Sequence, residues 1–149
     1  MAAIFFFIVA LMVGAGYPIQ AGVNATIAQY QGHPLLAAFT NTTVASLVLL
    51  VLIVAMRIPF PAMGQLVAAP FWAWGGGFLG AFFVFSSLVL APKMGAAAYV
   101  STTIVGTMSA ALIIDHFGLL AYKPQAITLQ RIIGAVMVIA GMFLIQWKR

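Results

Sequence analysis

Few side chains in this 149-residue chain are equipped for chemistry, and most of those are uncharged. Tyr17, Gln20, Asn24 and Gln31 follow one another at intervals of three, four and seven residues, which gives them a common face if the stretch is helical. Carboxamides and phenols donate and accept hydrogen bonds without carrying charge, so such a face suits holding a neutral or zwitterionic solute more than reacting with it. Asn41, Tyr99, Ser101, Thr102 and Thr103 offer the same chemistry. Asp115 is the only acid, His33 and His116 are the only imidazoles, and cysteine is absent. One acid with two distant histidines is too small a donor set for a usual metal site, and without cysteine there are no thiolate ligands, disulfides or thiol nucleophiles. Neither a metal nor any other cofactor is expected. Nor is an enzyme, because both histidines sit at the edges of apolar runs, away from any serine inside one.

The elements that carry these residues follow from composition. Hydrophobic residues make up 65% of the chain, mean hydropathy is +1.19, and 5% of residues are charged, against roughly a quarter in a soluble domain. The chain reads as one integral membrane domain over 1–149. An α-helical span needs about 20 apolar residues to cross some 30 Å of hydrocarbon. Five stretches qualify, about 2–30, 35–57, 71–91, 95–118 and 128–147. The fold class is therefore all-α and polytopic, and no stretch alternates as a barrel strand would. Pro34, Pro59, Pro61, Pro70, Pro92 and Pro124 fall between runs, and Pro18 alone lies inside one. The short segment AMGQLVAA predicts a turn of helix along the interface. Trp72, Trp74 and Trp147 stand near run ends, at headgroup depth. The first apolar run lacks a basic leader and reads as a span, not as a signal peptide.

Folding the chain at Gly32 and His33 brings Asn24 and Asn41 to matching depth, on the order of 10 to 13 Å inside. The fourth span enters from the same side with Tyr99, Ser101, Thr102 and Thr103. A polar layer from three helices is the expectation, with Gln20, Asn24, Asn41, Tyr99 and Thr103 as solute contacts, and Tyr17 and Trp72 as rings that stack on a solute. The alternative for the hydroxyls is bonding to their own helix carbonyls or interhelical bonds of about 0.6 kcal/mol. Pro18 frees a carbonyl near residue 14, either to line a cavity or to kink the helix for packing.

Asp115 falls at the C-terminal end of the fourth span, where a carboxylate opposes the helix dipole, so a cation should stand beside it: Arg131, Lys123 or His116. The expected role is a structural ion pair, with a proton-coupled gate as the alternative. Gly76 and Gly80 on the third span and Gly134 and Gly141 on the fifth are suited to close packing, within the chain or across a dimer. Six cations against one acid give a net charge of +5. They are scattered singly at run ends, which points to membrane anchoring and not to nucleic acid. Arg57, Lys123 and Arg131 fall on one side and Lys93, Lys148 and Arg149 on the other, so the positive-inside rule sets no orientation. Insertion both ways up, and pairing of opposed copies, would follow.

Longer stretches carry a resemblance. GYPIQAGVNATIA, PLLAAFTNTTVASLVLL, PFWAWGGGFLGAFFVFSSLVLAPKMGAA and LIIDHFGLLAYKPQAITLQRIIGAVMVIAGMFLI together resemble the YdcZ-type small proteins of the drug/metabolite transporter superfamily. The most specific pieces are Pro18, Gln20, Gly22 and Asn24, the run Asp115 to Gly118, and Arg131 with Gly134 and Gly141. The resemblance implies a five-helix inner-membrane protein akin to half of a ten-helix carrier built from inverted repeats, and hence an antiparallel homodimer. Related small multidrug-resistance proteins use a membrane-embedded glutamate on the first helix, and this chain has no glutamate. The expected function is a small-molecule transporter working by alternating access, with a solute and the lipid bilayer as partners. An accessory subunit needing a hetero-partner and a passive channel are the alternatives.

Overall fold

The structure, a computed structural model, describes residues 2–147, with side chains from Ile4 onward. Lys148 and Arg149, two of the cations counted above, lie outside the described residues. The described chain is all-α, in the order α1 (Ala2–Gln31), α2 (Pro34–Ala55), α3 (Met63–Val67), a 3-10 turn (Phe71–Trp74), α4 (Gly75–Met94), α5 (Ala96–Phe117) and α6 (Leu129–Gln146). Five of these segments are long and apolar enough to cross a membrane: Ile4–Gln31, Pro34–Ala55, Phe71–Met94, Ala96–Phe117 and Leu129–Gln146. The short helix expected between Pro61 and Pro70 is α3.

Local chemistry sets the borders. Gly32, at φ +74, ends α1. His33 is the N-cap of α2, its Nδ1 accepting from the Leu35 amide at 3.1 Å, and Pro34 takes the first helical position, where its missing N–H costs nothing. Gly95 alone separates α4 from α5, and its φ of +77 is why a glycine stands there. Thr128 caps α6 by accepting from the Arg131 amide.

One proline expectation is corrected. Pro92 does not fall between runs but inside the last turn of α4. There its missing donor leaves only the Leu88 carbonyl without a helical partner, a small loss so near the end. Pro18 lies inside a run as expected: α1 is helical from Ala2 to Gln31 around it. It deprives the Gly14 carbonyl of its helical partner.

Contacts within the chain group it into two compact units that meet between Pro92 and Lys93. In the first unit α1 packs on α2, and the first turn of α2 meets the last third of α4. The centre is Ala37, Ala38 and Leu88, flanked by Ile27, Ala28, Val84 and Phe85. Alanines there let the helix backbones approach closely, as spans must when lipid is as apolar as the interface. In the second unit α5 and α6 form an antiparallel hairpin, tied at one end by Gln146 Nε2 donating to Thr102 Oγ1 at 3.0 Å and at the other by Arg131 and Asp115.

Burial is sparse: α4 has three buried residues, α1, α2 and α5 have two each, and α6 has none. The glycines expected to pack, within the chain or across a dimer, are uncovered among the described residues. A methyl built at Gly76, Gly80, Gly134 or Gly141 would meet no atom within 4 Å.

Candidate functional site

On α1 the packed face is built from Ala21 and Asn24, which are buried, and Ala25, Ile27 and Ala28, which are half-buried. These recur at three and four residues, the helical repeat. Asn24 keeps 3% of its surface, a polar side chain sealed in an apolar rod. Gln20, one turn earlier, is exposed. At 100° per residue it stands about 40° round from Asn24, past the margin of the packed face. The stripe read as one face is therefore divided between two environments. Gln20 also lies near the middle of α1, about 16 Å from Gln31 and within roughly 4 Å of the centre of the span. Tyr17 is on the edge of exposure and Pro18 half-buried.

At the end of α1, Gln31 Nε2 donates to Thr40 Oγ1 at 2.8 Å and so closes the α1–α2 turn. Asn41 is half-buried. Thr42 donates to the carbonyls of Ala38 and Phe39, and Thr43 to that of Phe39. On α5, Tyr99 is 4% exposed and Thr103 half-buried. Ser101 and Thr102 donate to the Ala98 carbonyl, and Thr103 to those of Tyr99 and Val100. A hydroxyl whose proton is spent on its own helix can still accept. These threonines therefore offer lone pairs, as Thr102 does to Gln146.

Trp72 is removed from this level. It is exposed in the 3-10 turn before α4, and since Leu88 meets the first turn of α2, Trp72 stands at the opposite end of the unit, roughly 24 Å along the helix. Two cavities within the first unit have mainly apolar walls. One of about 400 Å³ is lined by Leu35, Leu36, Ala38, Phe39, Thr42, Ala81 and Phe85. Another, of about 580 Å³, lies among α3, Phe71 and Trp74. Neither is lined by Gln20, Asn24, Asn41, Tyr99 or Thr103.

The end of α5 carries the densest polar cluster. Of the three cations considered for Asp115, Arg131 is the partner, Nη1 to Oδ2 at 3.3 Å, while its other nitrogen donates to Gln125 Oε1. The Asp115 carbonyl accepts from the Gly118 and Gln125 amides. His116 Nδ1 accepts from the Ile127 amide at 3.4 Å, with its ring edge-on to Phe117. Gly118 is left-handed at φ +61, and a Cβ there would stand 2.6 Å from Pro124 Cγ. Asp115, His116, Gly118 and Arg131 thus all make contacts that tie the 118–128 connection and the start of α6 to the end of α5. Four polar ties were not legible from spacing: His33 as a cap, Gln31 to Thr40, Gln125 to Arg131, and Gln146 to Thr102. A polar residue directly before Pro34 was the available signal for the first. Gln31–Thr40 and Gln146–Thr102 join residues brought together only by hairpin closure, and Gln125–Arg131 depends on the path of the connection before α6.

Comparison with protein families matches residues 5–144 to the family described as "Putative inner membrane exporter, YdcZ". That description names an exporter and no enzyme class. No curated protein and no solved structure matches. With five spans and this match, the chain is a multi-pass inner-membrane protein.

Proposed function

Because the chain belongs to the YdcZ family of inner membrane exporters, we propose that it exports a small neutral or zwitterionic solute as an antiparallel homodimer. Gln20 of α1 and Asn41 of α2 from each copy line a central cavity, and access alternates as the halves rock. The kinship implied is with the drug/metabolite transporter superfamily, whose carriers pair inverted halves.

One observation carries this reading. Gln20 presents an exposed carboxamide close to the centre of a predominantly apolar span. Such a group facing acyl chains leaves its hydrogen bonds unmade at a cost of several kcal/mol, so it belongs against water or a second protein surface. The bare faces of Gly76, Gly80, Gly134 and Gly141 favour a protein neighbour, since small residues admit another helix closely. The same faces would suit a different membrane subunit, which is the second reading.

The test is a thermal-shift screen of uncharged and zwitterionic metabolites on purified protein, followed by uptake into proteoliposomes. A true ligand raises the midpoint in proportion to the logarithm of its excess over Kd. Gln20→Leu and Asn41→Ala should lose the shift and the uptake while expression holds. A ligand that shifts these variants as it shifts the parent would remove both residues from the site. Solute binding that appears only with a co-purified partner would establish the hetero-subunit reading.

A further inference from the structure

A cavity of about 290 Å³ lies in the second unit, lined by Lys93, Met94, Ala98 and Gln146. It is unlike the apolar hollows of the first unit, because a cation and a carboxamide share its wall with a methionine and an alanine. Among the described residues Lys93 forms no ion pair: Asp115, the only carboxylate side chain in the sequence, is held by Arg131 at the far end of α5, roughly 30 Å away. Gln146 uses one Nε2 proton on Thr102, which leaves its other N–H and its Oε1 for a visitor. Trp147, the next residue and 80% exposed, caps α6 at the level where indole rings meet headgroups. Met94 and Ala98 supply an apolar floor beside the polar pair.

From this arrangement we propose that the Lys93 cavity binds a phosphate that carries hydrogen-bond donors of its own, the chemistry of an anionic glycerophospholipid headgroup. The ammonium of Lys93 neutralises the phosphate, and basic pockets between spans are where such headgroups are held. The amide of Gln146 accepts from a headgroup hydroxyl and donates to an ester or phosphate oxygen. The glycerol backbone and first methylenes lie over Met94 and Ala98. None of the proposed solute contacts lines this cavity, and its assignment is tested apart from export.

The test uses the full chain in a neutral detergent, with thermal midpoint as the readout. Three probes are compared: short-chain phosphatidylglycerol, short-chain phosphatidylcholine and soluble glycerol phosphate. Phosphatidylglycerol should raise the midpoint in a saturable way, and phosphatidylcholine, with no net charge and no donor, should not. Lys93→Gln should weaken that response at least tenfold in half-saturating concentration, Lys93→Arg should keep it, and Arg57→Gln, at an interfacial cation outside the cavity, should leave it unchanged. Retention in the arginine variant guards against a fault in folding at this position. If glycerol phosphate matches the lipid, the phosphate comes from a soluble ligand and the membrane source is discarded. Equal responses to both lipids, or a Lys93→Gln protein that responds as the parent does, would overturn the site.

Discussion

Gly118 has no room for a side chain, on two counts: a left-handed backbone and Pro124 lying against it. Gly118→Ala should therefore lower stability by about 2 kcal/mol, the scale of a strained backbone position, read from unfolding in mixed detergent. Asp115 and Arg131 make a weaker claim. Their side chains are 27% and 31% exposed, so most of the attraction is screened. A double-mutant cycle with Asp115→Asn and Arg131→Gln should return a coupling of about 0.5 to 1 kcal/mol, and none would mean that Arg131 acts through Gln125 alone. Loss of uptake in Asp115→Asn with stability intact would instead give the acid a part in gating.

Helix ends and helix interiors behave differently in this chain. The start of α2 depends on one imidazole, so His33→Ala should cost about 0.5 to 1 kcal/mol, as loss of an N-cap does. Pro18 sits within a helix that remains continuous around it. Pro18→Leu should therefore restore the bond to the Gly14 carbonyl and leave the thermal midpoint equal or higher. A fall in uptake alongside that gain would locate the value of the proline in movement, and a fall in both would mean that its ring is needed for packing. The back-bonded hydroxyls of α2 and α5 are similarly settled within their own helices, which is why they give interior spans so many polar residues at little cost.

At the scale of the whole molecule, the balance of three cations against three and the exposed Gln20 point to opposed copies. The absence of native cysteine makes single thiols clean reporters. In an antiparallel pair the two-fold axis lies in the membrane plane, so only residues near mid-depth meet their own copies. Gln20→Cys should cross-link to itself with a short bifunctional reagent. Tyr30→Cys, exposed at 89% but about 15 Å further along α1, should not. Cross-linking at both positions would indicate parallel copies. A C-terminal tag in sealed vesicles should be labelled from both sides, and one-sided labelling would end the dual-orientation argument.

Class and layout were legible in the chain itself. Long apolar runs have one stable form in hydrocarbon, and prolines and glycines mark their ends, so five spans, the α1–α2 turn and the short interfacial helix follow from composition and spacing. The need of Asp115 for a cation was legible too, though not which cation. Periodicity assigned Tyr17, Gln20, Asn24 and Gln31 to one face, yet only packing could separate the sealed Asn24 from the bare Gln20. A repeat fixes angles around a helix, whereas burial depends on which neighbour arrives and where its contact stops. The same limit applied to the glycines, whose spacing marks a surface able to pack but not whether this chain supplies the partner.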